Sequence, residues 1–128
     1  MANKPMVLVV EDERPLMEAI ELKLRQNGFE VVTADTVKKG LEEMAKNKVD
    51  FVWLDHYLLG QENGFDFITD MKKNKAWKDI PVFVVSNTGD LDKSHSYLAL
   101  GANKYYVKAE HKLDEVIDDI KNFLGGKN

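Results

Sequence analysis

The stretch FVWLDHYLLG, residues 51 to 60, runs four apolar side chains straight into Asp55. Phe51 to Leu54 do not alternate with polar residues, and the run is too short for a helix. It reads as a strand covered on both faces, the usual state of a strand in a parallel sheet. Four further runs share this character: MVLVV (6–10), VVTA (31–34), VFVV (82–85) and YYV (105–107). Between them the spacing turns helical. Leu16, Ile20 and Leu24 recur every four residues, with Gly28 placed to end that helix. Val37, Leu41, Met44 and Ala45 make a second stripe, and Phe65, Ile68 and Met71 a third. The segment from Leu91 to Leu100 is the least regular. Leu113, Val116, Ile117, Ile120, Phe123 and Leu124 fall on one face of the last helix.

Strand and helix alternating five times predict an α/β fold, a doubly wound five-stranded parallel sheet with five helices. Right-handed crossovers at this size favour the order 2-1-3-4-5, with a switch point between the first and third strands. The 128 residues fit a single domain, 1–128, able to bury its own core. A net charge of −4 without a Lys/Arg-rich block argues against direct nucleic-acid binding. No cysteine is present, which excludes disulfides, thiolate metal sites and a cysteine nucleophile. The apolar run near the N-terminus is too short for a signal peptide core or a membrane span, so no membrane association and a cytoplasmic location are the expectation. The final residues, GGKN, are expected to fray.

Ligands of such sheets bind at the carboxyl ends of the strands. There the first strand is followed by Glu11, Asp12 and Glu13, the third by Asp55, the fourth by Ser86, Asn87 and Thr88, and the fifth by Lys108. Carboxylates gathered at the switch point repel one another unless a cation sits among them. Hard oxygen donors, few and partly hydrated, suit Mg²⁺ better than zinc. With a hydroxyl at Ser86 and an ammonium at Lys108, the set fits a phosphoryl group. Asp55 is then either a metal ligand or the nucleophile itself.

Plainer readings exist for each residue. Asp12 and Glu13 precede Pro15 and would serve as helix caps. Asp55 and Ser86 would serve as turn residues and Lys108 as a solvated surface lysine. Tyr105 and Tyr106 would fill a strand. His56, with no second histidine near it, reads as a rim residue, and Trp53 and Trp77 as packing. The convergence of the carboxylates at one switch point outweighs the plainer readings of Asp12 and Asp55, while those of the other residues stand on the residues alone. SNTGD (86–90) suggests the phosphate loop of flavodoxins, but that loop follows the first strand, where this chain carries EDE; negative charge there repels a phosphate.

The sequence resembles the receiver domain of two-component response regulators over essentially its whole length. The resemblance rests on VLVVEDE, FVWLD, VVS and ALGANKYYVK, in that order. It implies a flavodoxin-like receiver fold with Asp55 as phosphoacceptor, and Mg²⁺ held by Glu11, Asp12, Asp55 and the backbone carbonyl of Tyr57. It also implies Ser86 and Tyr105 as switch residues and Lys108 as the partner of the phosphoryl oxygens. A sensor histidine kinase or histidine phosphotransfer protein would be the donor. An effector would read the surface formed by helix 4, strand 5 and helix 5. Such a chain catalyses only its own phosphorylation and dephosphorylation and is otherwise no enzyme.

Three positions depart from the family pattern. Leu59 replaces a proline, Asn63 stands where a glycine is usual with Gly64 following, and Ala109 replaces the proline after the lysine. These suggest a loop one residue longer and leave the Lys108–Ala109 peptide either cis or trans. They motivate the alternative of a phosphorylation-independent interaction module. A small-molecule aspartyl-phosphate phosphatase is disfavoured, because such enzymes carry a second aspartate at the position of Tyr57.

Overall fold

The computed structural model describes residues 4–87 and 89–125; Thr88 and the last three residues of GGKN lie outside them. Strands β1 (Met6–Val10), β2 (Glu30–Ala34), β3 (Phe51–Leu54), β4 (Val82–Ser86) and β5 (Lys104–Val107) alternate with helices α1 (Arg14–Gln26), α2 (Val37–Lys46), α3 (Gly64–Lys73), α4 (Leu91–Ala99) and α5 (Leu113–Leu124). All pairings are parallel and the sheet order is β2-β1-β3-β4-β5. The expected order therefore holds, switch point included.

Successive strand residues feed two different layers. Leu8, Val10, Val52, Leu54, Val82 and Val84 pack with Val37, Met44, Phe67, Ile68, Met71 and Tyr97 of α2, α3 and α4. Their neighbours Val7, Val9, Phe51, Trp53, Phe83 and Val85 pack with Ile20 and Leu24 of α1 and Val116, Ile117 and Ile120 of α5. Both faces of β1, β3 and β4 are thus covered, which is why those runs carry no polar alternation. Full burial of each such side chain is worth about 1.5–3 kcal/mol.

Local signals place the helix ends. Gly28, at φ 91°, lets the chain turn out of α1 while its N–H reaches Arg25 O and that of Phe29 reaches Leu24 O. Thr36 Oγ1 caps α2 by accepting from Lys39 N at 3.0 Å. At the start of α3, Asn63 Oδ1 accepts from Phe65 N and Asp66 Oδ2 accepts from Asn63 N, both at 2.9 Å.

Two helices differ from the sequence reading. In α4 the apolar residues Leu91 and Leu98 face solvent, and Tyr97 is the buried member. The helix is short and meets the protein mainly at β5, so one large inward side chain suffices to seat it. In α5, Phe123 stays partly exposed, touching Phe83 edge-on with ring centroids 5.5 Å apart.

Candidate functional site

Parallel pairing brings the ends of β1 and β3 side by side. Asp55 N donates to Val10 O at 2.9 Å, and Glu11 N donates to Ala34 O at the same distance, so both acidic residues continue the ladder one step past their strands. Their side chains consequently project from rigid backbone. Carboxylate oxygens of Glu11, Asp12 and Asp55 lie within 4.8 Å of one another. Glu11 and Asp55 are buried and Asp12 is half-buried.

Lys108, just past β5, reaches across this cluster. Its Nζ is 3.1 Å from Glu11 Oε1 and 3.6 Å from Asp55 Oδ2. Two main-chain donors add to it: Glu13 N to Glu11 Oε2 at 3.2 Å, and His56 N to Asp55 Oδ1 at 2.9 Å. One ammonium does not offset the crowding. Burial, reinforced by the charge of Asp55, pushes the Glu11 carboxyl up to about 7 against the pull of Lys108. Asp55 is likewise raised by burial, with Lys108 and the His56 N–H opposing and Asp12 adding to the rise. The all-oxygen donor set, partly wet at Asp12 and short of positive charge, fits a small hard dication.

Ser86 ends β4, fully buried. Its hydroxyl meets no partner in good hydrogen-bond geometry, yet it lies near enough to Tyr105 to oppose the rise that burial imposes on the Tyr105 hydroxyl. Tyr105 itself is half-buried on β5. The ring of Tyr57 is exposed and lies under the ammonium of Lys93, 5.2 Å from its centroid.

Several expectations change here. Glu13 occupies the cap position of α1 but makes no side-chain cap, and the Glu11 carboxylate takes its N–H instead. The peptides of the described residues are all trans, that of Lys108–Ala109 included, and Lys108 opens a short 3-10 turn that ends at Glu110. His56 is not a rim residue. It is buried, and its Nδ1 lies 2.6 Å from the hydroxyl of Tyr97 on α4. The loop after it is closed by Gly64 N donating to His56 O at 2.9 Å and anchored by Leu59 N donating to Asp35 O at 3.0 Å. A Cβ on residue 64 would overlap the Tyr97 hydroxyl and stand 2.9 Å from Asp55 O. This accounts for a glycine at 64. Sequence reasoning missed Tyr97 because no local spacing joins positions 56 and 97.

The family model for the response regulator receiver domain matches residues 7–121. The chain belongs to the response regulator receiver family. Relatives of this receiver domain include the phosphate regulon transcriptional regulatory protein PhoB of Escherichia coli, 33% identical over 102 residues, covering 80% of this chain and 44% of that protein. The cell cycle transcriptional regulator CtrA of Caulobacter vibrioides is 31% identical over 111 residues, covering 87% and 46%. The receiver thus spans about half the length of these relatives. Among solved structures, a response regulator from Chloroflexus aurantiacus superposes with a TM-score of 0.86 at 27% identity, covering 95% of this chain and 98% of that one. The HemR receiver domain from Leptospira biflexa does so with 0.86 at 26% identity, covering 98% of each chain. No described helix is long and apolar enough to cross a membrane.

Proposed function

We propose that this receiver accepts a phosphoryl group on Asp55 from the phosphohistidine of a sensor kinase or phosphotransfer protein, with Mg²⁺ bound by Glu11, Asp12, Asp55 and the Tyr57 carbonyl. The observation that carries this reading is the convergence of three carboxylates from two strands with the Lys108 ammonium, at a switch point. An Asp55 carboxylate oxygen attacks phosphorus, the phosphorus–nitrogen bond breaks, and the imidazole nitrogen keeps the electron pair, leaving an acyl phosphate on Asp55. Glu11, Asp12, Asp55 and the Tyr57 carbonyl would hold the dication, which would supply positive charge to the phosphoryl oxygens. Lys108 is placed to pair with the phosphoryl group as it arrives, exchanging its present contact with Asp55 for one with the new oxygens. The Asp55 N–H ladder bond and the His56 N–H hold the nucleophile in orientation.

The phosphoryl oxygens then offer the buried Ser86 hydroxyl an acceptor, and its movement changes the space beside Tyr105. That local change biases α4, β5 and α5, the surface where an effector reads the state. Leu91 and Leu98 on α4 and Leu100 just past it are exposed, which supports an apolar contact there. The chain works as one receiver unit in the cytoplasm, and its catalysis is confined to its own phosphorylation and hydrolysis.

Intact mass after incubation with acetyl phosphate and Mg²⁺ tests the reading. The expected result is a gain of one phosphoryl group, lost in Asp55→Asn and lost on chelation. Persistent Mg²⁺-dependent labelling of Asp55→Asn overturns the acceptor assignment. No labelling of a magnesium-bound wild type turns the reading toward a phosphorylation-independent module.

A further inference from the structure

One residue beyond Asp55, the structure spends a buried polar pair on something the chemistry above does not use. The Tyr97 hydroxyl and His56 Nδ1 are 2.6 Å apart, and neither residue is open to water. Two apolar side chains would fill this volume without the desolvation that a phenol and an imidazole both carry. What a hydrogen bond supplies beyond packing is direction, since it fixes the two rings relative to each other.

His56 is held in three ways. Its N–H donates to Asp55 Oδ1, its carbonyl accepts from Gly64 N, and its ring is bonded to Tyr97. The main chain of His56 therefore orients the Asp55 carboxylate, while its side chain is tied to α4. Tyr97 is just as constrained. Its ring stacks on Phe65 at 4.3 Å, meets His56 edge-on and lies 6.0 Å from the ring of Tyr105. The contact exists only because residue 64 has no side chain to displace the hydroxyl. The Tyr97 hydroxyl and His56 Nδ1 share one hydrogen bond, in which the imidazole tautomer decides which of the two donates.

The geometry points to Tyr97 as a positioning residue for the Asp55 carboxylate. Through its hydrogen bond to His56 it couples the placement of α4 to the geometry of the cation site, beside the connection through Ser86 and Tyr105. The part of this inference that concerns phosphorylation rests on the function proposed above; the part that concerns cation binding needs only the carboxylate cluster. Coupling of this kind is reciprocal, so magnesium must also steady α4.

The test titrates Mg²⁺ into wild type, Tyr97→Phe and the double variant His56→Leu/Tyr97→Phe, following the fluorescence of Trp53, and then labels each with acetyl phosphate. Tyr97→Phe is expected to bind Mg²⁺ about fivefold more weakly, the scale of one hydrogen bond, and to label more slowly. The double variant removes both polar groups, so its thermal midpoint should recover relative to Tyr97→Phe while its magnesium affinity stays weakened. Magnesium should slow amide exchange in α4 of the wild type and not in Tyr97→Phe. Wild-type magnesium affinity in Tyr97→Phe, or recovery of affinity together with stability in the double variant, overturns the inference. Wild type that binds Mg²⁺ without labelling overturns the acceptor reading instead, and the affinities still decide the role of Tyr97.

Discussion

The Lys108 ammonium sits 3.1 Å from a carboxylate oxygen of Glu11, a residue 97 positions away in the chain, and closer to it than to Asp55 at 3.6 Å. Without a metal, the lysine therefore does part of the neutralising that a dication would do. On the function proposed above, it competes with the cation as well as pairing with the phosphoryl group.

Replacing it separates the two roles. Lys108→Met should bind Mg²⁺ several-fold more tightly than wild type, because the competing charge is gone, yet take up far less phosphoryl group from acetyl phosphate. Without metal, loss of the buried pair should cost about 3 kcal/mol of stability. Weaker magnesium binding in a fluorescence titration would contradict the competition.

Glu11 gives the metal-free protein a defined pH dependence. Its folded pKa is raised from 4.5 to about 7, so the folded state holds this proton more tightly than the unfolded chain. Stability is then greatest below the unfolded value and falls as pH rises toward neutrality, by up to ~3 kcal/mol from this group. Chemical unfolding at a series of pH values in chelator should show that slope in wild type and a flatter one in Glu11→Gln. Saturating Mg²⁺ should flatten the wild type too, since the metal replaces the proton. Parallel slopes in wild type and Glu11→Gln would assign the pH dependence elsewhere.

Gly64→Ala should destabilise by about 1–3 kcal/mol, because the new Cβ runs into the Tyr97 hydroxyl and the Asp55 carbonyl. Adding Tyr97→Phe removes one of the two clashes and should return part of the loss. A denaturant midpoint that is no better in the double variant would place the strain wholly at the Asp55 backbone.

Tyr106 makes a control on the opposite layer. Its hydroxyl donates to Asp119 Oδ2 at 2.7 Å, and the ring packs in the α1/α5 core. Tyr106→Phe should cost about 1 kcal/mol and leave magnesium affinity and labelling at wild-type levels. A changed magnesium affinity would mean that the two layers communicate more than their separate packing suggests.

The strands were legible because burial on both faces leaves an unmistakable trace in β1, β3 and β4, and strand order follows from crossover handedness once alternation is clear. The carboxylates and Lys108 were legible for a related reason: chemistry at strand ends sits next to the apolar runs that announce the strands. The seating of α4 was not. A single buried Tyr97 among exposed leucines carries no periodicity, and its partner His56 lies on another element. Gly64 looked like a shifted family glycine, and the packing of Tyr97 against it gives a glycine at that position a physical cause.

The acidic residues belong to the ends of β1 and β3, the lysine to the end of β5, and the strands between are joined only through tertiary pairing. The three carboxylates and the ammonium come together only when β1, β3 and β5 have all taken their places in the sheet. A chain stalled before β5 joins the sheet therefore lacks the Lys108 ammonium beside its carboxylates. Topology itself acts as proofreading, assembling the full charge cluster only in the finished sheet.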